Sequence, residues 1–316
     1  MHSEAENKDY RVGRLNKTNL GDLDELHKAV YGSARPADFF QKKYDTAYTG
    51  AEYLGYIAYN RQDTAIAYYG VMPCFVQYAN KVILSAQSGD TMTHPQYRNR
   101  GLFVELCNRT IELCREEGVR FLFGFPNQNS YPGFVNRLGW LTTEEMECFC
   151  LPVSAIPWGS LSNRFPFLKG IYRFYTAAIL KKYTLPRRGI AGSVMNTSFG
   201  GVYRDDAWFN YKTYNTTQVI RVGRAMAWIS IAHALIIGDL ELEGQDFDHT
   251  IRGLKKIAAS LGLRQLFFHS SPGTPLHHLF ATRYKRIPSF PVIFKDLEAG
   301  IPLDKIKFTF ADIDTF

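Results

Sequence analysis

The stretch that most limits what this chain can fold into is Ser88-Gly-Asp-Thr-Met-Thr-His-Pro-Gln-Tyr-Arg-Asn-Arg-Gly-Leu-Phe103. It reads as a strand that stops at Pro95, a basic loop, and a long helix opening at Gly101. Leu102, Phe103, Leu106, Thr110, Leu113 and Cys114 fall on one stripe at i, i+3/i+4 spacing, which predicts a helix over 101–117. Gly118 stands where helices commonly end on a left-handed residue. Val119-Arg-Phe-Leu-Phe-Gly-Phe125 then has the length and aromatic bias of a buried strand. Strand, glycine turn, helix, strand is a βαβ unit with an anion site at its crossover. The first amides of a helix lack intrahelical partners and carry the positive end of its dipole, so they attract phosphate. Gly101 lets an anion approach the backbone, and Arg98 and Arg100 add charge beside it. Neither G-x-G-x-x-G nor G-x-x-x-x-G-K-S/T fits here, which sets aside the dinucleotide and nucleotide-hydrolase loops.

The run Tyr97-Arg98-Asn99-Arg100-Gly101-Leu102-Phe103 resembles the acyl-CoA loop of GNAT-type N-acetyltransferases, written Q/R-x-x-G-x-G/A. Arg98 matches its first position and Gly101 its fourth, while Phe103 replaces the final small residue. Thr93-His94-Pro95 and Asn136-Arg137-Leu138-Gly139-Trp140 also look like family landmarks. The resemblance covers roughly the first half of the chain. It implies an α/β fold with a mixed, largely antiparallel sheet around a central parallel βαβ unit. It also implies acetyl-CoA as acyl donor, no metal, and a primary amine of a small molecule as acceptor; an amino sugar of surface-polysaccharide synthesis is one such amine. The donor would be held by Thr91, Met92 and Thr93 along the strand, by Arg98, Asn99, Arg100, Gly101, Leu102 and Phe103 in the loop, and by Asn127 and Asn129 beyond the next strand.

Acylation of an amine by a thioester needs a neutral, well-placed amine and a proton for the departing thiolate. Asp90, four residues before His94, is the candidate base. The family's usual proton-donating tyrosine corresponds to Val135, so Tyr131, one helical turn earlier, is the candidate acid. Asp239 occupies a place like that of Asp90 in the second half, so Gly-Asp also reads as a strand bulge.

The 316 residues suffice for two domains. Ile237-Gly-Asp-Leu-Glu-Leu242 echoes Ser88-Gly-Asp-Thr-Met-Thr93, and Gly262-Leu-Arg-Gln-Leu-Phe-Phe268 parallels Gly118-Val-Arg-Phe-Leu-Phe-Gly124. Five residues are missing from the second copy, where the first carries its basic loop, and Gln245-Asp-Phe-Asp248 stands there instead. The expected organisation is tandem: a GNAT domain over 8–150, a basic, partly helical linker over 151–195, and a degenerate GNAT-like domain over 196–316 without a pyrophosphate loop. A helix from Asn163 to Tyr183, with Phe167, Ile171, Phe174, Ala178 and Ile179 on one side, is basic enough to touch an anionic membrane. The preferred reading is a linker helix packed against both domains, with its lysines in water.

A net charge of +7 and a pI near 9.0 suit anionic partners without selecting one. Nucleic acid is not the expected partner, and the sequence does not specify an oligomeric state. A tRNA-dependent aminoacyl transferase resembling the FemX group, which would not need the loop at 98–103, and a non-catalytic acyl-CoA sensor are the rival readings. Five cysteines without a CxxC pair argue for buried thiols rather than a disulfide framework. A polar N-terminus and an apolar run of only 225–238 make a cytoplasmic protein the expectation.

Overall fold

A computed structural model describes residues 9–156 and 168–316. The described residues divide into two compact units, the first made of residues 9–75, 83–142 and 293–300, the second of 76–82, 143–156, 168–292 and 301–316.

In the first unit, β1 (Tyr10–Arg14) is followed by α1 (Asp22–Tyr31) and the short α2 (Phe39–Tyr44). The strands β2 (Gly55–Asn60), β3 (Ala65–Tyr78), β4 (Lys81–Ser88) and the two-residue β5 (Met92–Thr93) come next. The helix α3 (Leu102–Glu116) and β6 (Phe121–Gly124) complete the crossover. The order is β1-β2-β3-β4-β6, with β1–β2 and β2–β3 antiparallel and β4–β6 parallel. A return segment, Ile293–Asp296, pairs antiparallel with β6. The α3 stripe buries Leu102, Leu106, Cys107, Thr110, Ile111, Leu113 and Cys114, as its periodicity requires. Gly118 follows with φ 79°, the left-handed terminator expected of it.

The second unit contains most of β7 (Leu141–Pro152), then α4 (Leu168–Lys181), β8 (Gly201–Val202) and α5 (Asp206–Tyr211). The strands β9 (Gln218–Val222), β10 (Ala225–Ile231) and β11 (Leu235–Glu241) lead to α6 (Phe247–Ser260). They are followed by β12 (Gln265–Ser270), α7 (Pro275–Ala281) and β13 (Arg286–Asp296), whose last four residues are the return segment of the first unit. The order β7-β12-β11-β10-β9 holds one parallel pair, β11–β12, flanked by antiparallel neighbours. This is the mixed α/β architecture that the resemblance implies.

β3 is one long strand, because Met72, Pro73 and Cys74 continue it without a break. The strand expected to run unbroken into Pro95 is interrupted after Ser88, and Gly89-Asp-Thr91 lies outside β4 and β5. The units divide at Thr142/Thr143, and 293–300 returns to the first unit. Of the helix expected from Asn163, residues 163–167, Phe167 included, lie outside the described residues; the described part is α4.

Candidate acyl-donor site

The loop between β5 and α3 is shaped by a short 3₁₀ turn, Pro95–Tyr97. The His94 ring Nδ1 accepts from the Gln96 amide at 3.3 Å, so His94 caps this turn. Arg100 lies over the Tyr97 ring at 4.8 Å, and its Nη2 donates to the Gln96 carbonyl at 3.4 Å. Asn99 (φ 63°) and Gly101 (φ 77°) are both left-handed, and this double reversal turns the chain into α3. Gly101 is the N-cap of α3 and supplies no side-chain cap, and a Cβ placed on it would meet nothing within 4 Å. The first amides of α3 are therefore left uncapped beside open space. The same corner of the second unit is built differently. There Asp246 caps α6, its Oδ2 accepting from the His249 amide at 2.8 Å.

Phe103, the departure from the resemblance, packs its ring edge-on against Phe134 at 5.1 Å and against Tyr69 at 6.4 Å. It also lies over Gly133, where a Cβ would come within 2.6 Å of the ring. Phe103 is thus a packing residue of the wide π-type turn Gly133–Arg137.

The strands around this loop separate. β4 and β6 stay paired from Ala86↔Leu122 to Ser88↔Gly124. Beyond that point β5 pairs, among the described residues, with β3, through Ala67↔Thr93 and Tyr68↔Met92. Thr91, Met92 and Thr93 follow on one side of the separation, with Met92 buried; the Thr91 carbonyl accepts from the Tyr31 hydroxyl at 3.4 Å. On the other side, the Asn127 side-chain Oδ1 accepts from the Asn129 amide at 2.9 Å and the Ser130 amide at 3.1 Å. Asn127 therefore builds the turn, and Asn129 contributes its backbone to it.

Asp90 lies in the break between β4 and β5. The Lys43 ammonium stands 2.7 Å from its Oδ2, with the Lys43 side chain 2% exposed and that of Asp90 14% exposed. The Tyr44 hydroxyl donates to the same oxygen at 2.8 Å. Burial works to raise the Asp90 carboxyl, but Lys43, the Tyr44 hydrogen bond and the charge of Arg35 together hold it below the usual carboxylate range. Asp90 is consequently ionised and weakly basic. Burial, with the Asp90 charge beside it, pushes the Tyr44 phenol well above its ordinary value. Sequence reading missed Lys43 and Tyr44. The one signal was a lysine on the apolar side of α2, alongside the buried Phe39, Phe40 and Tyr44, where a carboxylate partner is required.

Asp239 has a closely related setting. Gly238 is the extra residue of a bulge, since Trp228 faces Asp239 while Ile229 faces Ile237. The Asp239 Oδ2 lies 2.7 Å from Arg204, with both side chains buried. In both units Gly-Asp marks a local irregularity in a strand, and the carboxylate takes a buried cation.

Tyr131 is half-buried, and its hydroxyl is 3.0 Å from the Thr142 hydroxyl. Val135 packs against the core of the first unit. The Cys148 thiol, buried and 3.5 Å from His269 Nε2, is pushed up to about 12 by burial, which leaves it unreactive. Among the described residues no cluster of three or more His, Cys, Asp or Glu is arranged to hold a metal, and no helix is long and apolar enough to cross a membrane.

Residues 11–143 match the family model of the acetyltransferase (GNAT) domain. No curated protein matches the chain. Among solved structures, a GCN5-related N-acetyltransferase from Kribbella flavida aligns with a TM-score of 0.55 at 13% identity, covering 92% of this chain and 72% of its own. A GCN5-related N-acetyltransferase from Anabaena variabilis aligns at 0.54 and 11% identity, covering 91% and 73%. A conserved protein of unknown function from Enterococcus faecalis aligns at 0.60 and 14% identity, covering 92% and 73%. At these identities the structures speak for the fold. The matched stretch contains the loop, the separated strands and the start of α3 described above.

Proposed function

We propose that the chain is an acetyl-CoA-dependent N-acyltransferase whose donor site is the corner formed by Arg98–Phe103. The uncapped start of α3 at Gly101, facing open space, carries this reading. In it the donor pyrophosphate takes the α3 amides, with Arg98 and Arg100 as counter-charges. The pantetheine arm runs along Thr91–Thr93, between the strands that part after Ser88 and Gly124, and reaches the turn at Asn127 and Asn129. A primary amine of a small molecule, such as an amino sugar, attacks the thioester directly in a ternary complex. Asp90 enters as a weak base, so placement of the amine supplies most of the rate. Tyr131 delivers a proton to the departing thiolate. The second unit is a degenerate GNAT-like domain: it repeats the strand–helix–strand pattern, but Asp246 occupies the amides that a pyrophosphate would need.

Thermal unfolding with and without acetyl-CoA tests the donor site. A ligand that binds only the folded protein stabilises it by about 2.7 kcal/mol at a hundred times its dissociation constant. Wild type should show a saturable rise in Tm, and Gly101→Val should shrink it by more than half; an equal rise in both contradicts the assignment. Val135, which cannot donate a proton, favours a second reading, a non-catalytic acyl-CoA sensor. Binding without thiol release across a panel of primary amines would establish that alternative.

A further inference from the structure

From Cys148 to Arg204 the chain contains no aspartate or glutamate, a run of 57 residues that includes Arg173, Lys181, Lys182, Arg187 and Arg188. α4 lies in this run and has two faces. Its inner face is anchored: the Tyr172 hydroxyl donates to the Leu261 carbonyl and the Tyr175 hydroxyl to the Ser260 carbonyl, each at 2.9 Å. Leu180 is buried and Ile179 packs against the core of the second unit. The outer face should be polar in a helix that merely packs. Instead Ile171 is 66% exposed and Phe174 79%, with the exposed Ala178 completing the i, i+3, i+7 series. Arg173, Lys181, Lys182, Arg187 and Arg188 are all exposed around or after this stripe.

The neighbouring helix adds to the same charge. α6 brings Lys255 and Lys256 in the turn before Ser260, and Arg264 follows. Its single acid, Asp248, lies at the far end and is paired with Arg283 at 2.8 Å. A water-facing aromatic and aliphatic stripe flanked by cations, on a helix already fixed to its domain, has the composition of an interfacial helix.

We propose that α4 docks this protein on an anionic lipid surface, with Ile171 and Phe174 inserted at the headgroup boundary. Arg173, Lys181, Lys182 and Arg188 meet the lipid phosphates. Charge complementarity selects the occupant, since an apolar partner would not call for the acid-free run. The apolar stripe distinguishes this surface from a site for a free anion. The proposal is independent of the acyl-donor reading.

Co-sedimentation of the full chain with vesicles of phosphatidylglycerol and with vesicles of phosphatidylcholine tests it. Binding should be confined to the phosphatidylglycerol vesicles and fall as salt rises. Phe174→Ser and the pair Lys181→Glu, Lys182→Glu should each weaken it, the latter by about tenfold or more, since one basic residue at an anionic surface contributes about fivefold. These side chains are exposed, so circular dichroism of the variants should match wild type. Failure to pellet with phosphatidylglycerol, or unaltered pelleting of both variants, overturns the proposal. So does a wild-type dimer in light scattering that Phe174→Ser dissociates, because the stripe would then be a self-association face.

Discussion

At the scale of single residues, Asp90 shows how differently one carboxylate reads in sequence and in structure. Its position before the loop suggests a base, and its neighbours make it half of a buried ion pair. Replacing one member of such a pair is far more damaging than never having built it, because the remaining charge stays out of water. Asp90→Asn takes the carboxylate from a lysine that is 2% exposed, and should cost about 3–5 kcal/mol in urea unfolding. Lys43→Met combined with Asp90→Asn should recover part of that loss. The pH dependence follows from the direction of the shift. The folded-state value of Asp90 lies below the unfolded one, near 3.9, so the stabilisation is complete above the unfolded value and is lost as pH falls through the folded one. The acid limb of a stability profile should therefore be shallower in Asp90→Asn than in wild type.

At the scale of elements, the crossover was the most legible part of the chain. The stripe of α3 and the terminators Gly118 and Gly262 are local signals, written in spacing and in the left-handed conformations at both glycines. The break after Ser88 was less legible, because Asp-Thr-Met-Thr has unbroken strand chemistry and only pairing with β3 shows where the ladder fails. The role of Phe103 was illegible, since its partners Gly133 and Phe134 lie 30 residues on. Their packing makes a testable claim. Gly133→Ala drives a methyl to within 2.6 Å of the Phe103 ring, and overpacking of this kind costs about 1–3 kcal/mol. Adding Phe103→Leu should restore most of the lost Tm; a double variant no better than Gly133→Ala would show that the two residues do not share the space.

Over the whole molecule, the chain leaves each unit and re-enters it, an exchange of segments along the sequence. β6 takes its antiparallel neighbour from Ile293–Asp296, and β12 takes its neighbour from β7. A tandem arrangement read from sequence as 8–150 followed by 196–316 does not contain this exchange. A fragment of residues 8–150 would lack the strand beside β6, including the buried Ile293 and Phe294, and would carry β7 without β12. An exposed, apolar strand edge favours aggregation. The fragment should emerge aggregated or without a cooperative thermal transition in circular dichroism, whereas the full chain melts cooperatively. A monomeric fragment with a sharp transition would show that the exchange is dispensable. Arg204 acts over a similar span, joining Asp239 and Asp312 at 2.7 and 2.8 Å with all three side chains buried. Burial alone would lower the Arg204 guanidinium, but the two carboxylates raise it above its ordinary value.

The amino-acid order by itself determined the periodic elements and the glycine-marked turns, because those rest on forces acting within a few residues. It also determined the charge of the 148–204 run. Tertiary structure decided the rest. It set Lys43 and Tyr44 on Asp90 from 47 and 46 residues away, closed the first unit with residues 293–300, and left the start of α3 open while Asp246 capped α6. Such pairings depend on which distant groups must share a region without water, and spacing along a chain carries no record of that.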